Sequence, residues 1–503
     1  MSVKKLGELE KINNNGEESE MFYCDKEEES SANPRAPFRR QLLMSFGTFL
    51  LTTGAGTTAG FSAILIPQLQ EENGQQKIST EMVSWVAAMA SFALVFGNLI
   101  SGYLMEKLGR RTSQVVMSVF FTSGWAVIGF AQNIYFILLG RFITGLCQGW
   151  LGPLGPVFVG EISTPKYRGF FLASLSLAIA FGVLMSHLFG TILHWSYASL
   201  LCGLFPFTGG IILYFAPESP AWLAAQNRIE ECINSFKWFR GITPNTIVEL
   251  DKMVAAQANK DQTKSKITTL KANIKKPEFY KPLVIMTMFF IMTQLSGVNV
   301  ISAYTPEMMS ELIGNNRNSY TAMLSIDVLR CLSLFGACVL LKSKGRRPMA
   351  MISGIFTSLS LIVLAVYLYS VGDKNLSPIV TLGLMTIYMI VSNLGVVPLP
   401  WNMVGELFAT ETKGLGSGIS VMMTSISYFA TIKTAPGMFQ SIGHKGAYLF
   451  YGLSTLIGTV YLFFYLPETK GKTLMQIEEY FRYGKKGKTK DTTKDVEANT
   501  PFV

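Results

Sequence analysis

The stretch Gly102-Tyr103-Leu104-Met105-Glu106-Lys107-Leu108-Gly109-Arg110-Arg111 lies between two long apolar runs, and its reading decides the fold. It carries an acid, a turn glycine and paired arginines. A reduced copy returns as Lys342-Ser343-Lys344-Gly345-Arg346-Arg347, again between apolar runs. A charged knot repeated between hydrophobic segments marks a membrane protein built by duplication. Two further features repeat in the same order. Glu161 with Lys166 and Arg168-Gly169 returns as Glu406 with Lys413-Gly414, and Pro217-Glu218-Ser219-Pro220 returns as Pro467-Glu468-Thr469-Lys470. The three offsets are similar, about 236 to 250 residues. One such motif could be a topology signal only; three, duplicated in order, need more than topology.

Composition agrees. The 503 residues are 49% hydrophobic and 15% charged, where soluble domains carry about 25% charge. Apolar runs cover roughly 42–66, 82–105, 112–131, 134–159, 169–193, 195–215, 282–308, 319–343, 348–371, 377–404, 414–438 and 447–466. Each reaches the ~20 residues that span a bilayer core. They are too long and continuous for barrel strands, and lipid offers backbone groups no partner, so the expected fold is all-helical with twelve transmembrane helices. The division expected is a disordered N-terminus over 1–40, a six-helix half over 41–217, a helical loop over 218–281, a second half over 282–467 and a tail over 468–503. The loop reads as short amphipathic helices over 230–240 and 246–257. Met1 to Arg40 is polar and charge-mixed, so no cleavable signal peptide is expected at this end. The six cysteines are scattered and read as small core residues, not a disulfide framework.

Lysine and arginine set the orientation. The loops after helices 2, 4, 6 and 8 are basic, whereas the first opposite loop holds Glu71, Glu72 and Glu81 against Lys77. The positive-inside rule then puts both termini in the cytoplasm. These loops and the tail Arg482, Lys485, Lys486, Lys488, Lys490 account for the net charge of +10, so no nucleic-acid partner is needed. The tail reads as solvated, with contact to anionic lipid the alternative.

Within the spans, Gly54, Gly56 and Gly60 have the small-residue spacing that lets helices approach closely in lipid, and Pro67 is expected to close helix 1. Gln294 and Asn299 are amides at mid-depth in helix 7. Their spacing of five is not a clean one-face repeat, but Gly297 permits irregularity. Asn393 and Trp401 lie in helix 10, where Pro398 and Pro400 break the backbone. Amides both donate and accept, as every sugar hydroxyl does, and an indole offers an apolar face to a ring. A lone intramembrane Asn is otherwise a helix–helix hydrogen bond. Arg330 stands near a helix centre, where a charge costs about 2.5–3.5 kcal/mol on insertion scales. Asp327 is three residues earlier on the same face, so the bland reading is a self-neutralising pair; a fork for an anionic or hydroxyl-rich solute, or a switching ion pair, are the alternatives. His187 and Lys433 read as packing and snorkelling residues.

These motifs together resemble the sugar porter family: Gly109-Arg110-Arg111, Gly140-Arg141-Phe142, Val159-Gly160-Glu161-Ile162 with Arg168-Gly169, Pro217-Glu218-Ser219-Pro220, Gln294-Leu295-Ser296-Gly297-Val298-Asn299, Gly345-Arg346-Arg347, Pro398-Leu399-Pro400-Trp401 and Pro467-Glu468-Thr469-Lys470-Gly471. The likeness spans about 40–482. Gly60-Phe61-Ser62 with Pro67 is most similar to the insect facilitated trehalose transporter-like members. The resemblance implies the major facilitator fold, with two six-helix halves that rock about a solute site near mid-membrane. It also implies a cytoplasmic gating network: Glu106, Arg110, Arg111, Glu161, Arg168 and Glu218 in the first half, Arg346, Arg347, Glu406, Lys413 and Glu468 in the second. Lys413 stands where the family usually has arginine, and Lys342 where it usually has an acid. A bidentate fork is lost there, so the second latch is expected to be weaker and the inward-open state more populated.

The resemblance places solute contacts at Gln294, Asn299, Asn393 and Trp401. At four family amide positions this chain has Ser176, Thr293, Arg330 and Thr424. Smaller Ser and Thr enlarge the cavity, which could admit a disaccharide or a different solute. No acid of the proton-coupled kind occurs in helix 1, so uniport is expected, with Asp327 the one residue against it. The function expected is facilitative transport of a hexose or trehalose at the plasma membrane. The alternatives are a transport-impaired sugar sensor and a porter for an anionic solute using Arg330. No phosphate-cradling loop occurs, and the three histidines form no ligand cluster, so neither enzyme, cofactor nor metal is expected. The sequon Asn375-Leu376-Ser377 falls in an external loop ahead of Pro378.

Overall fold

The computed structural model describes residues 36–72, 79–241, 246–251, 253, 276–313, 316–343, 345–371, 377–408, 413–470 and 474–483. The disorder expected at the N-terminus, the tail beyond 483 and the sequon at Asn375 lie outside these residues. So do the side chains of Lys342 and Lys413.

The first half comprises α1 (Ala36–Gly60), α2 (Ser62–Glu72), α3 (Thr80–Leu108), α4 (Arg110–Gly129), α5 (Ile134–Ile162), α6 (Pro165–Ile192) and α7 (Trp195–Tyr214). Two short helices follow, α8 (Pro220–Ala225) and α9 (Ile229–Arg240). The second half comprises α10 (Pro277–Leu295), α11 (Val298–Ile313), α12 (Asn316–Ser343), α13 (Arg346–Val371), α14 (Pro378–Leu394), α15 (Pro398–Leu407) and α16 (Lys413–Tyr465), and α17 (Leu474–Tyr483) ends the described chain.

Ten described helices are long and apolar enough to cross a membrane. One of them, Leu415–Tyr465, has 51 residues, about 77 Å of helix against a bilayer core of about 30 Å. Its backbone leaves the helical region at Gly443, so it makes two spans, not one. The pair α1–α2, bent by 43°, adds another. Ten, with one counted twice and one added, gives the twelve expected. Pro67 does not close the first span: α2 runs on to Glu72 with Pro67 inside it, and the bend falls earlier, at Phe61.

The two halves pack alike. In the first, α1 lies on α6, α3 on α5 and α4 on α7. In the second, α12 lies on α14 and α13 on the back part of α16. Glycines allow these approaches. A Cβ on Gly56 would come 2.1 Å from the Ile179 carbonyl, and one on Gly145 2.1 Å from that of Ala90. The halves meet along α3 with α16, α6 with α12, and α2 with α11. Large apolar side chains such as Phe120, Ile192, Phe356 and Ile457 point outward, as lipid-facing positions require.

Candidate functional site

The charged knots build one face of the molecule, the latch face. Arg110 Nε lies 3.1 Å from a Glu161 carboxylate oxygen, and Arg346 Nη2 lies 3.0 Å from Glu406. Each glutamate also accepts from a hydroxyl in the third motif: Glu161 from Ser219, and Glu406 from Thr469 at 2.6 Å. Glu218 and Glu468 act differently. They cap the first turns of α4 and α13 from over a hundred residues away. Glu218 accepts from the backbone N–H of Arg111 at 2.7 Å and of Thr112 at 3.1 Å. Glu468 accepts from Arg346 at 2.9 Å and Arg347 at 3.1 Å. A carboxylate at a helix N-terminus meets both unpaired donors and the positive end of the dipole. Burial pushes the Glu468 carboxyl up, but the N–H groups of Lys470, Arg346, Arg347 and Thr469 outweigh it and hold the group below the ordinary carboxylate range.

The motif glycines make room for these acids. A Cβ on Gly109 would lie 2.4 Å from Glu218 Oε2, and one on Gly345 2.4 Å from Glu468 Oε2. The second arginine of each knot turns to a helix end. Arg111 Nε donates to the Leu213 carbonyl at 3.1 Å and Arg347 Nη2 to that of Phe463 at 2.6 Å. Arg168 donates to the Ser163 carbonyl at 3.4 Å, not to a carboxylate. Glu106 is exposed and joins through its backbone carbonyl, which accepts from Trp222 Nε1 at 2.8 Å. The Arg346–Glu406 pair is as short as its first-half counterpart but is made through Nη2, where Arg110 uses Nε.

The amide set gathers around two helix breaks. Helix α10 ends at Leu295, and Gly297 with φ +82° turns the chain into α11. A side chain there would be strained and would meet the Tyr451 ring. The break brings Gln294 and Asn299 together: Asn299 Nδ2 donates to Gln294 Oε1 at 2.6 Å. Carbonyls at the break find side chains, with Tyr388 donating to Ser296 at 2.7 Å and Ser454 to Leu295 at 2.8 Å. The second break separates α14 from α15. There Thr293 donates to the Val396 carbonyl at 3.0 Å. Asn393 is fully buried; its Nδ2 donates to Met389 at 2.7 Å, and its Oδ1 has no partner. Trp401 stands edge-on to Phe290 with ring centres 5.1 Å apart, about half exposed. Thr424 bonds only within its own helix, to Ser420 at 3.0 Å, and Ser176 is half-buried on α6.

Arg330 and Asp327 do not form the self-neutralising pair expected. Arg330 Nη1 donates to Ser302 Oγ at 2.8 Å, and its buried Nε has no partner. Asp327 reaches the other half, where its Oδ2 lies 2.5 Å from His187 Nδ1. His187 is therefore no mere packing residue, and Lys433 reaches toward the start of α3, its Nζ donating to Ser84 at 2.5 Å across the seam, over the Trp85 ring.

Sequence reading also left Arg141 without a role. It is fully buried and donates to the carbonyls of Thr58 at 2.7 Å, Val86 at 3.3 Å and Ala87 at 3.2 Å and to Ser62 Oγ at 2.5 Å, tying α5 to α1, α2 and α3. Motif position was its only signal. A cleft of about 310 Å³ between α2, α11 and α12, lined by Gln70, Glu71, Tyr304 and Tyr320, opens on the face away from the latches; none of the amide set lines it.

Residues 41–481 match the family model described as "Sugar (and other) transporter". The chain is 28% identical over 446 residues to the Facilitated trehalose transporter Tret1 of Drosophila grimshawi, covering 87% of this chain and 47% of that one. Against Tret1 of Bombyx mori it is 27% identical over 445 residues, covering 87% and 86%. The chain thus spans about half the length of some of these relatives and most of others. Among solved structures it resembles the inward open conformation of the xylose transporter XylE from E. coli, with a TM-score of 0.70 and 20% identity over 88% of this chain and 99% of that one. A double-tryptophan XylE mutant gives 0.72 at 19% identity, covering 90% and 100%. At such identity the likeness speaks for the fold, which is that of the major facilitator transporters.

Proposed function

Because the chain belongs to the sugar (and other) transporter family, we propose that it carries a sugar, a hexose or trehalose, across a membrane by alternating access of its two halves. The relatives named for trehalose and the neighbours named for xylose support a hydroxyl-rich solute. The observation that carries the reading is the set of amides at the α10–α11 and α14–α15 breaks. Asn393 Oδ1, buried at mid-span with no partner, is an acceptor suited to a solute hydroxyl. Gln294, Asn299 and Trp401 are the further contacts, with Arg330, Thr293, Ser176 and Thr424 shaping the site. Arg110, Arg111, Glu161, Arg168 and Glu218 with Arg346, Arg347, Glu406, Lys413 and Glu468 form the gate on the latch face, and Glu106 helps by docking α8. The boundaries proposed are a first half over 41–217, a helical linker over 218–281 and a second half over 282–467. The latch face is cytoplasmic and holds both termini, and the plasma membrane is the site of action.

Counterflow in proteoliposomes tests this. Vesicles preloaded with glucose or trehalose should draw in the labelled sugar without a pH gradient. Folded, reconstituted protein that exchanges neither sugar would refute the reading.

A further inference from the structure

The structure carries a titratable contact between its halves that the sugar site does not use. His187 on α6 and Asp327 on α12 are both buried, at 0% and 5% side-chain exposure, with Nδ1 and Oδ2 2.5 Å apart. The other ring nitrogen, Nε2, lies 3.1 Å from the Gly60 carbonyl at the end of α1. Gly60 permits that approach, because a Cβ there would come 2.5 Å from Ser186 Oγ and 3.1 Å from His187 Nε2.

The donor and acceptor inventory fixes the proton count. A carbonyl only accepts, so Nε2 carries a hydrogen. A second hydrogen must lie between Nδ1 and the carboxylate. Whether it is drawn as imidazolium beside carboxylate or neutral imidazole beside carboxyl, the closed pair holds one proton more than a neutral imidazole and a carboxylate. An imidazole and a carboxylate parted in water hold no such proton above about pH 6.5.

We propose that His187 and Asp327 form a proton-binding site at the seam, occupied when the face away from the latches is closed. Closing takes up one proton from water and opening returns it; nothing is oxidised or reduced. The pair lies toward that face, and the residues around it leave its balance intact. On α12, Arg330 turns to Ser302, and Cys331 follows it. On α5, Arg141 is spent on carbonyls and Ser62. Tyr304 and Glu307 on α11, Glu71 on α2, Tyr320 on α12, Tyr388 on α14 and Tyr428 on α16 are further titratable groups on the elements around the pair, and His194 on the approach to α7 pairs with Glu72 at the end of α2. The site makes this gate loosen as pH rises on its own side, without tying solute accumulation to a proton gradient.

The proposal rests on the halves parting at this face and not on which solute they carry, so the test uses no solute. Spin labels at cysteines introduced at Ile192 on α6 and Thr321 on α12 report the separation by double electron–electron resonance on the full chain. In the wild type the open-to-closed ratio should rise about tenfold per pH unit above pH 6.5 and level off below it. Asp327→Asn, whose amide can donate to a neutral Nδ1 without a proton, should remove the slope, as should His187→Gln. A wild-type ratio constant within twofold from pH 6.5 to 8.5 overturns the proposal, and so does a slope that survives in either variant. A slope in protein that moves no sugar upholds it and refutes the transport reading alone.

Discussion

Gly109→Ala should damage the latch in two separable ways. Gly109 has φ 93° and ψ 168°, a region essentially confined to glycine, where a side chain costs about 1–3 kcal/mol. The new Cβ would also lie 2.4 Å from Glu218 Oε2, so the carboxylate must withdraw. It would then release the N–H groups of Arg111 and Thr112, and losing a helix cap costs about 0.5–2 kcal/mol. The two parts together come to about 1.5–5 kcal/mol. Unfolding in mixed micelles, followed by tryptophan fluorescence, reads the loss; Trp222 is bonded to the same knot through the Glu106 carbonyl at 2.8 Å. A double-mutant cycle separates the parts. Glu218→Ala alone should cost about 0.5–2 kcal/mol, as a lost cap. With Glu218 already gone, Gly109→Ala should cost only its backbone share, so the double variant is less damaged than the two singles added. Strict additivity would show that the glycine and the carboxylate do not compete for space. A harmless Gly109→Ala would refute both parts.

Three other outcomes follow from the same geometry. Arg141→Lys replaces a fork serving four acceptors by an ammonium with three donors; a buried acceptor left unmet costs about 1–3 kcal/mol, and thermal unfolding in detergent should fall measurably, further for Arg141→Met. Asn299→Ala removes a hydroxyl partner worth about 0.5–1.5 kcal/mol, so the half-saturation concentration for sugar counterflow should rise about two- to tenfold, while loss of its bond to Gln294 Oε1 lowers stability by about 0.5–1.5 kcal/mol; an unchanged half-saturation value would take Asn299 out of the site. Glu468 is held below the ordinary carboxylate value of 4.5, so its stabilisation is present above that value and is lost as pH falls through the lower folded one; the stability gap between wild type and Glu468→Gln should be constant from neutral pH to about pH 5 and shrink in more acid solution, and a gap that grows there would reverse the sign of the argument.

What the sequence disclosed depended on whether the physics was local or repeated. The knots were legible because duplication wrote them twice, and because charge between apolar runs has few explanations. The break at Gly297 was legible because Gln294 and Asn299, five apart, share no helical face unless the helix stops between them. The end of the first helix was misplaced: Pro67 is carried inside α2 as its sixth residue, and the chain turns at Phe61 instead. Asp327 and Arg330 looked like a pair because three residues is one helical turn. Their true partners, His187 and Ser302, lie 140 and 28 residues away, and no spacing announces them. Arg141 bonds mostly to backbone carbonyls, which every residue has, so its partners left no mark in the sequence.

The two ends of the molecule are held by different chemistry. On the latch face the pairs Arg110–Glu161 and Arg346–Glu406 each stay inside one half. Among the described residues, the polar contacts seen across the seam run from mid-span to the other face: Asn98 with Ser425 at 2.8 Å, His187 with Asp327, Ser84 with Lys433, and Thr80 with Gln440. Those within a half can persist while the halves rock, and so stiffen each as a rigid body. Those across the seam must break when that face opens. Of these, only His187–Asp327 joins two groups that can exchange a proton, and it is far more buried than the Thr80–Gln440 contact. On the proposed rocking of the halves, opening that face requires solvating an acid and a base together at the seam between α6 and α12, a cost that the latch pairs, each inside one half, do not carry.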